Sequence, residues 1–68
     1  MPSHVCAEDA KGVWVIIDDV EGEAPATLRV STVTRVGRRV RLSFTKPHPS
    51  LGSWHPEYTP RHQLRVAR

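Results

Sequence analysis

Apolar and polar residues along this chain alternate with the period of two that marks strands, and no stretch carries the 3.6 period of a long amphipathic helix. The clearest case is "TLRVSTVTRV", residues 27–36. Its even positions are Leu28, Val30, Thr32, Thr34 and Val36, and its odd positions are Thr27, Arg29, Ser31, Val33 and Arg35. Val33 is the one defect in the alternation. After Gly37, "RVRLSF" sets Val40, Leu42 and Phe44 on one side and Arg39, Arg41 and Ser43 on the other. Two alternating runs flanking a glycine predict a β-hairpin.

The length of the turn decides which faces match. A two-residue turn at Gly37 and Arg38 pairs Val36 with Arg39 and Arg35 with Val40, which sets arginines against apolar positions. A three-residue loop, residues 37–39, or an equivalent bulge, pairs Val36 with Val40, Thr34 with Leu42 and Thr32 with Phe44. Every even position then faces one core. Because a slip of one residue inverts a whole strand, the apolar pattern favours the three-residue register. That register places Arg29, Arg35, Arg39 and Arg41 outward, with Arg38 at the tip and Arg35 directly opposite Arg41.

The remaining elements follow from local chemistry. Residues 12–18, "GVWVIID", are rich in β-branched and aromatic side chains, and their apolar character on both sides predicts a central or doubly covered strand. Residues 18–26 collect Asp, Gly and Pro, the residues of a loop. Residues 45–53 form a proline-broken loop, and residues 54–58 a short edge strand interrupted by Pro56, which has no N–H to donate. Thr59 and Pro60 suit the cap and first position of one short helical turn over residues 59–63. Residues 64–68 close the chain as a last short strand. Residues 1–10 show no periodicity and predict a loose or weakly docked tail, so that the division expected is a flexible arm over 1–11 and one domain over 12–68.

Length adds a constraint. With 68 residues the chain supports a single domain with a thin margin of stability, which leaves a homodimer open. Its single cysteine, Cys6, excludes an intrachain disulfide and points to a reducing, cytoplasmic setting. The longest apolar run is five residues, 13–17, far short of the roughly 20 that a membrane-spanning helix needs, and no signal peptide is legible. No membrane partner is expected.

Five short strands, a long acidic first connection, a tight middle hairpin and one helical turn before the last strand, residues 64–68, resemble the SH3-like small barrels, a group that includes Tudor and KOW modules. The resemblance covers residues 12–68 and rests on element order, the hairpin at Gly37 and the ending "YTPRHQLRV". It implies an all-β, five-stranded barrel with one short helical turn before the last strand. Barrels of this group bind nucleic acids, peptides or proteins, so the resemblance implies a fold and leaves the function open.

Catalysis and metal binding find little support. Glu8 and Asp9 beside Cys6 raise a thiol's pKa rather than lower it. Asp18 and Asp19 are adjacent, so an extended chain points them to opposite sides. His4 and Cys6, and His48, His55 and His62 at seven-residue intervals, lack the paired spacing of a zinc site and read as exposed loop histidines. No enzyme activity, cofactor or metal is expected.

Charge is the informative feature. Residues 1–23 hold six of the seven acids and one base, whereas residues 24–68 hold nine of the ten bases and only Glu57. Eight of the ten bases are arginine, whose planar fork suits phosphate and carboxylate, although a GC-rich genome produces the same bias. Like charges facing each other across a hairpin repel. Arg35 and Arg41 therefore call for an anion: the acidic loop over 18–23, an external polyanion such as DNA or RNA, or dispersed counter-ions. Trp54, beside His55 in a proline-rich segment, is the candidate stacking ring, with a lid over the core as its alternative role. The residues expected to bind a partner are thus Arg29, Arg35, Arg38, Arg39, Arg41 and Trp54. The competing class is a module that docks on an acidic protein surface, and the composition is similar to that of accessory proteins of actinobacteria and their phages.

Overall fold

The structure, a computed structural model, describes residues 3–67. Met1 and Pro2 of the expected arm and Arg68 of the expected last strand lie outside the described residues. The protein is all-β. Six strands form one open antiparallel sheet: β1 (His4–Cys6), β2 (Trp14–Ile17), β3 (Ala26–Val36), β4 (Arg39–Phe44), β5 (Glu57–Tyr58) and β6 (Gln63–Val66), in the order β1-β6-β2-β3-β4-β5.

Strand β3 organises the sheet. Its first half, from Ala26 to Arg29, pairs with β2, and its second half, from Val30 to Val36, pairs with β4. Between the halves the register shifts by one residue: Val30 faces Phe44, Thr32 faces Ser43, and Ser31 is the extra residue of a β-bulge. The Ser31 hydroxyl donates to the Ser43 carbonyl at 3.1 Å, which ties the bulge to the partner strand.

The bulge explains the Val33 defect. Before it the even positions Leu28 and Val30 face inward, and after it the odd position Val33 does so, opposite Leu42. Thr32 and Thr34 face outward and are exposed. The turn is the two-residue form: Val36 pairs with Arg39 and Arg35 with Val40, not Val36 with Val40. Gly37 has φ 60°, and Arg38 has no positive φ, the pattern of a type II′ turn with glycine at its first central position. The apolar pattern needed one change of parity, and the bulge at Ser31 supplies it instead of a longer loop.

The core lies on the inner side of the sheet. Val15, Ile17, Leu28, Val30, Val40, Leu42, Tyr58 and Leu64 are buried there. Truncating a side chain such as Leu42, fully buried, costs about 2–5 kcal/mol, a large share of the roughly 3–10 kcal/mol expected for a domain of this size.

Residues 5–10 of the expected loose or weakly docked arm pack against this core. Val5 pairs with Leu64 in β1–β6, and a 3-10 turn (Ala7–Asp9) packs on β3 and β4. Ala7 and Ala10 are fully buried, and the Ala7 and Glu8 amides donate to the carbonyls of His62 and Pro60. Small side chains permit that close approach. Residues 59–62 form a single turn closed by the His62 amide and the Thr59 carbonyl at 3.0 Å, with Pro60 at its second position, rather than a helical segment.

Candidate nucleic-acid interface

The observed register distributes the arginines over both sides of the hairpin. Arg29 faces outward beside Trp14, its partner on β2. Arg41 and Arg39 face outward opposite Thr34 and Val36, and Arg38 occupies the turn. Arg35 lies on the inner side, opposite Val40 and beyond the core, where it remains exposed. The expected confrontation of Arg35 with Arg41 is therefore absent: the two-residue turn puts them on opposite sides of the sheet. The outer side of β3 and β4 presents Arg29, Thr32, Thr34, Ser43, Arg41 and Arg39 as one stripe of guanidinium and hydroxyl groups.

Arg41 has a local counter-ion that sequence reasoning missed. Strand β5 places Glu57 directly across from it, and Glu57 Oε2 accepts from Arg41 Nη2 at 3.0 Å and from Nε at 3.3 Å. Both side chains are well solvated, so the pair contributes only a few tenths of a kcal/mol. The acidic loop turns elsewhere. Asp18 accepts from Arg65 Nη1 at 3.1 Å, and Asp19 Oδ1 accepts from the Tyr58 hydroxyl at 3.4 Å. Burial, followed by the charge and hydrogen bond of Asp19, pushes the Tyr58 hydroxyl well above its ordinary range. Arg41–Glu57 and Arg65–Asp18 are the ion pairs among the described residues. Arg29, Arg35, Arg38 and Arg39 take no part in either.

Trp54 sits at the other end of β4 and is half-buried. Its ring stacks on Phe44, with centroids 5.9 Å apart, and meets His48 edge-on at 5.3 Å. It thus packs against the core, while part of it lines a groove of about 290 Å³ with Lys46, Pro47 and His55. His48 is not an exposed loop histidine but is only 4% exposed. Its Nδ1 accepts from the Ser50 and Leu51 amides, each at 3.1 Å, so Nε2 carries the proton. That N–H lies buried without a hydrogen-bond partner, beside Trp54. His55 is exposed, and His62 stacks on Tyr58 with centroids 4.5 Å apart. Among the described residues no three potential ligands cluster as a metal site would require.

Strand β2 takes the first of its two expected forms, a central strand rather than one covered on both sides. It is central in the sheet, between β6 and β3, but its outer side is open: Trp14 is 49% exposed and Ile16 half-buried. Close to Trp14's partner Arg29, a notch of about 320 Å³ is lined by Lys11, Gly12, Arg29, Val30, Ser31 and Thr45. Trp14 and Lys11 were missed because an apolar run reads as covered and a lone lysine before a strand carries no pattern. Among the described residues no helix is long and apolar enough to cross a membrane. No protein-family model, curated protein or solved structure matches the chain.

Proposed function

We propose that this protein is a small, non-catalytic binding module that associates with nucleic acid through the arginines of the β3–β4 hairpin. The observation that carries this reading is the disposition of charge. Arg29, Arg38 and Arg39 line the outer side and tip of one hairpin without a carboxylate partner among the described residues, and Arg35 adds a cation at the same tip from the inner side. From Arg29 to the Val36–Arg39 pair the stripe runs about 20 Å, the rise of about six base pairs along the axis of B-form DNA. Guanidinium groups bind phosphate oxygens in pairs, and the hydroxyls of Thr32, Thr34 and Ser43 between them add neutral donors. Asp18 and Asp19 of the 18–23 loop engage Arg65 and Tyr58, and no acid of that loop takes part in an ion pair with a hairpin arginine among the described residues.

An SH3-like small barrel is the fold reading that accompanies this function. It is supported by the bent strand β3 shared between two sheet halves, the hairpin at Gly37 and the turn before β6. A cytoplasmic location accords with the free thiol of Cys6.

Docking on an acidic protein surface is the second reading: the same arginines would meet its carboxylates, and Leu51, 39% exposed in the loop after His48, would add an apolar contact. Fluorescence anisotropy with mixed-sequence DNA and RNA oligonucleotides at about 50 mM salt tests the first reading. Binding is expected, and Arg38→Gln with Arg39→Gln should weaken it about tenfold. Absence of any binding overturns the reading, and a protein partner that survives nuclease treatment supports the second.

A further inference from the structure

We infer that the outer side of β2 and β3 holds an unpaired nucleotide of a single strand, its base on Trp14 and its phosphate in the notch between Lys11 and Arg29. This deepens the proposed nucleic-acid function and rests on it. Trp14 and Leu51 are the large hydrophobic side chains left exposed among the described residues, and only Trp14 is held in a strand. A strand fixes the indole's position, so stacking on it costs less conformational entropy than stacking on a loop residue.

The cations stand next to the ring. Arg29 is the cross-strand partner of Trp14, which brings their Cβ atoms to about 5 Å. The adjoining notch is lined by two cations, Lys11 and Arg29, by Thr45, and by Ser31, whose hydroxyl donates to the Ser43 carbonyl. No carboxylate lines it, and neither cation takes part in the ion pairs found among the described residues. The bulge at Ser31 interrupts the ladder here, and Gly12, with φ 79° and nothing near its missing side chain, keeps the rim low. At about 320 Å³ the notch lies at the lower limit for small-molecule sites, a size for one phosphate and its sugar rather than a whole ligand.

A ring beside two cations distinguishes single strands from duplexes. Duplex bases are stacked within the helix and offer an indole no free face, whereas every unpaired base does so whatever its identity. The notch and ring therefore favour single-stranded DNA or RNA with little sequence preference, while the hairpin arginines contribute to both forms.

The test compares a 12-nucleotide single strand with the corresponding 12-base-pair duplex by fluorescence anisotropy. The wild-type protein should prefer the single strand. Trp14→Ala should lower single-strand affinity at least about fivefold, the lower end for loss of one stacked base, and leave duplex affinity unchanged. Trp14→Phe, which keeps a ring, should retain most of the preference, and an unaltered melting temperature confirms that both variants fold. In a Trp54→Phe background, emission from the remaining Trp14 should be quenched by the single strand alone. Equal affinity for both forms, unmoved by Trp14→Ala while Arg38→Gln still weakens each, overturns the subsite and leaves the hairpin reading standing. Failure of both oligonucleotides to bind overturns both.

Discussion

Exchanging the chemistry of Val33 and Thr34 tests the register on which the position of every arginine depends. Valine and threonine have nearly the same shape and both favour strands, so Val33→Thr and Thr34→Val change polarity with little change in local propensity. Val33 faces Leu42 on the inner side and is half-buried; Thr34 faces Arg41 on the outer side and is exposed. Full burial of a valine side chain contributes about 1.5–3 kcal/mol, so half of it contributes about 1 kcal/mol. Placing a hydroxyl there without a partner adds to the loss, for a total of about 1–2 kcal/mol for Val33→Thr. Thr34→Val should stay within about 0.5 kcal/mol of wild type. For a domain of this size 1 kcal/mol corresponds to a melting shift of about 4–8 °C, or roughly 1 M in the urea midpoint. Urea unfolding followed by tryptophan emission reads both variants. With a three-residue turn the faces are reversed, and Val33→Thr becomes neutral while Thr34→Val fills the core and stabilises. That result would refute the bulge at Ser31 and the arrangement of the interface with it.

Three other outcomes follow from individual contacts. His48→Ala removes a buried ring and the acceptor for the Ser50 and Leu51 amides, at a cost of about 2–3 kcal/mol by urea unfolding. His48→Asn supplies an acceptor in the manner of an Asx-turn and should recover about 1 kcal/mol of that; equal losses for the two variants would show that the amide bonds contribute nothing. Tyr58 has a hydroxyl raised from its ordinary value of 10.0, so below pH 10 neither folded nor unfolded protein is ionised there and stability is full. Above pH 10 only the unfolded state ionises, and stability should fall by about 1.4 kcal/mol per pH unit; Tyr58→Phe should remove that alkaline decline, and parallel curves would contradict the burial of the hydroxyl beside Asp19. Glu57→Gln frees Arg41 and should tighten oligonucleotide binding about two- to fivefold at low salt with little change in melting temperature, whereas weaker binding would assign Glu57 a direct role in the interface.

Much of the sheet is legible in the chain's alternation, and the exceptions have physical causes. Leu28, Val30, Val40, Leu42 and Phe44 announce their strands and inner side because their neighbours are polar. Parity, however, can be restored at either of two places, a longer turn or a bulge, and a pattern of apolar residues records only that it is restored. Val33 was the mark of the bulge, and Gly37 as the first central residue was the mark of the two-residue turn. The docking of β1 depends on pairing with β6 at the far end of the chain, a long-range contact with no local signature. The alanines that follow β1, Ala7 in the 3-10 turn and Ala10 just after, are core residues by fit rather than by hydrophobic content. The arginine-rich hairpin was readable from composition, but the partner of Arg41 was not, because Glu57 is sixteen residues away and meets it only through β5. Trp14 shows the opposite case: a run apolar at every position fits a central strand or a doubly covered one, and the sheet makes β2 central while leaving its outer side open.

The dependence of oligonucleotide affinity on salt counts the phosphates that the hairpin arginines neutralise. If Arg29, Arg35, Arg38 and Arg39 each neutralise a phosphate of a single strand, log K against log salt should fall with a slope of about −3, and Arg38→Gln with Arg39→Gln should reduce it to about −1.5. A slope near zero, or one that the two substitutions leave unchanged, would contradict a phosphate-binding hairpin.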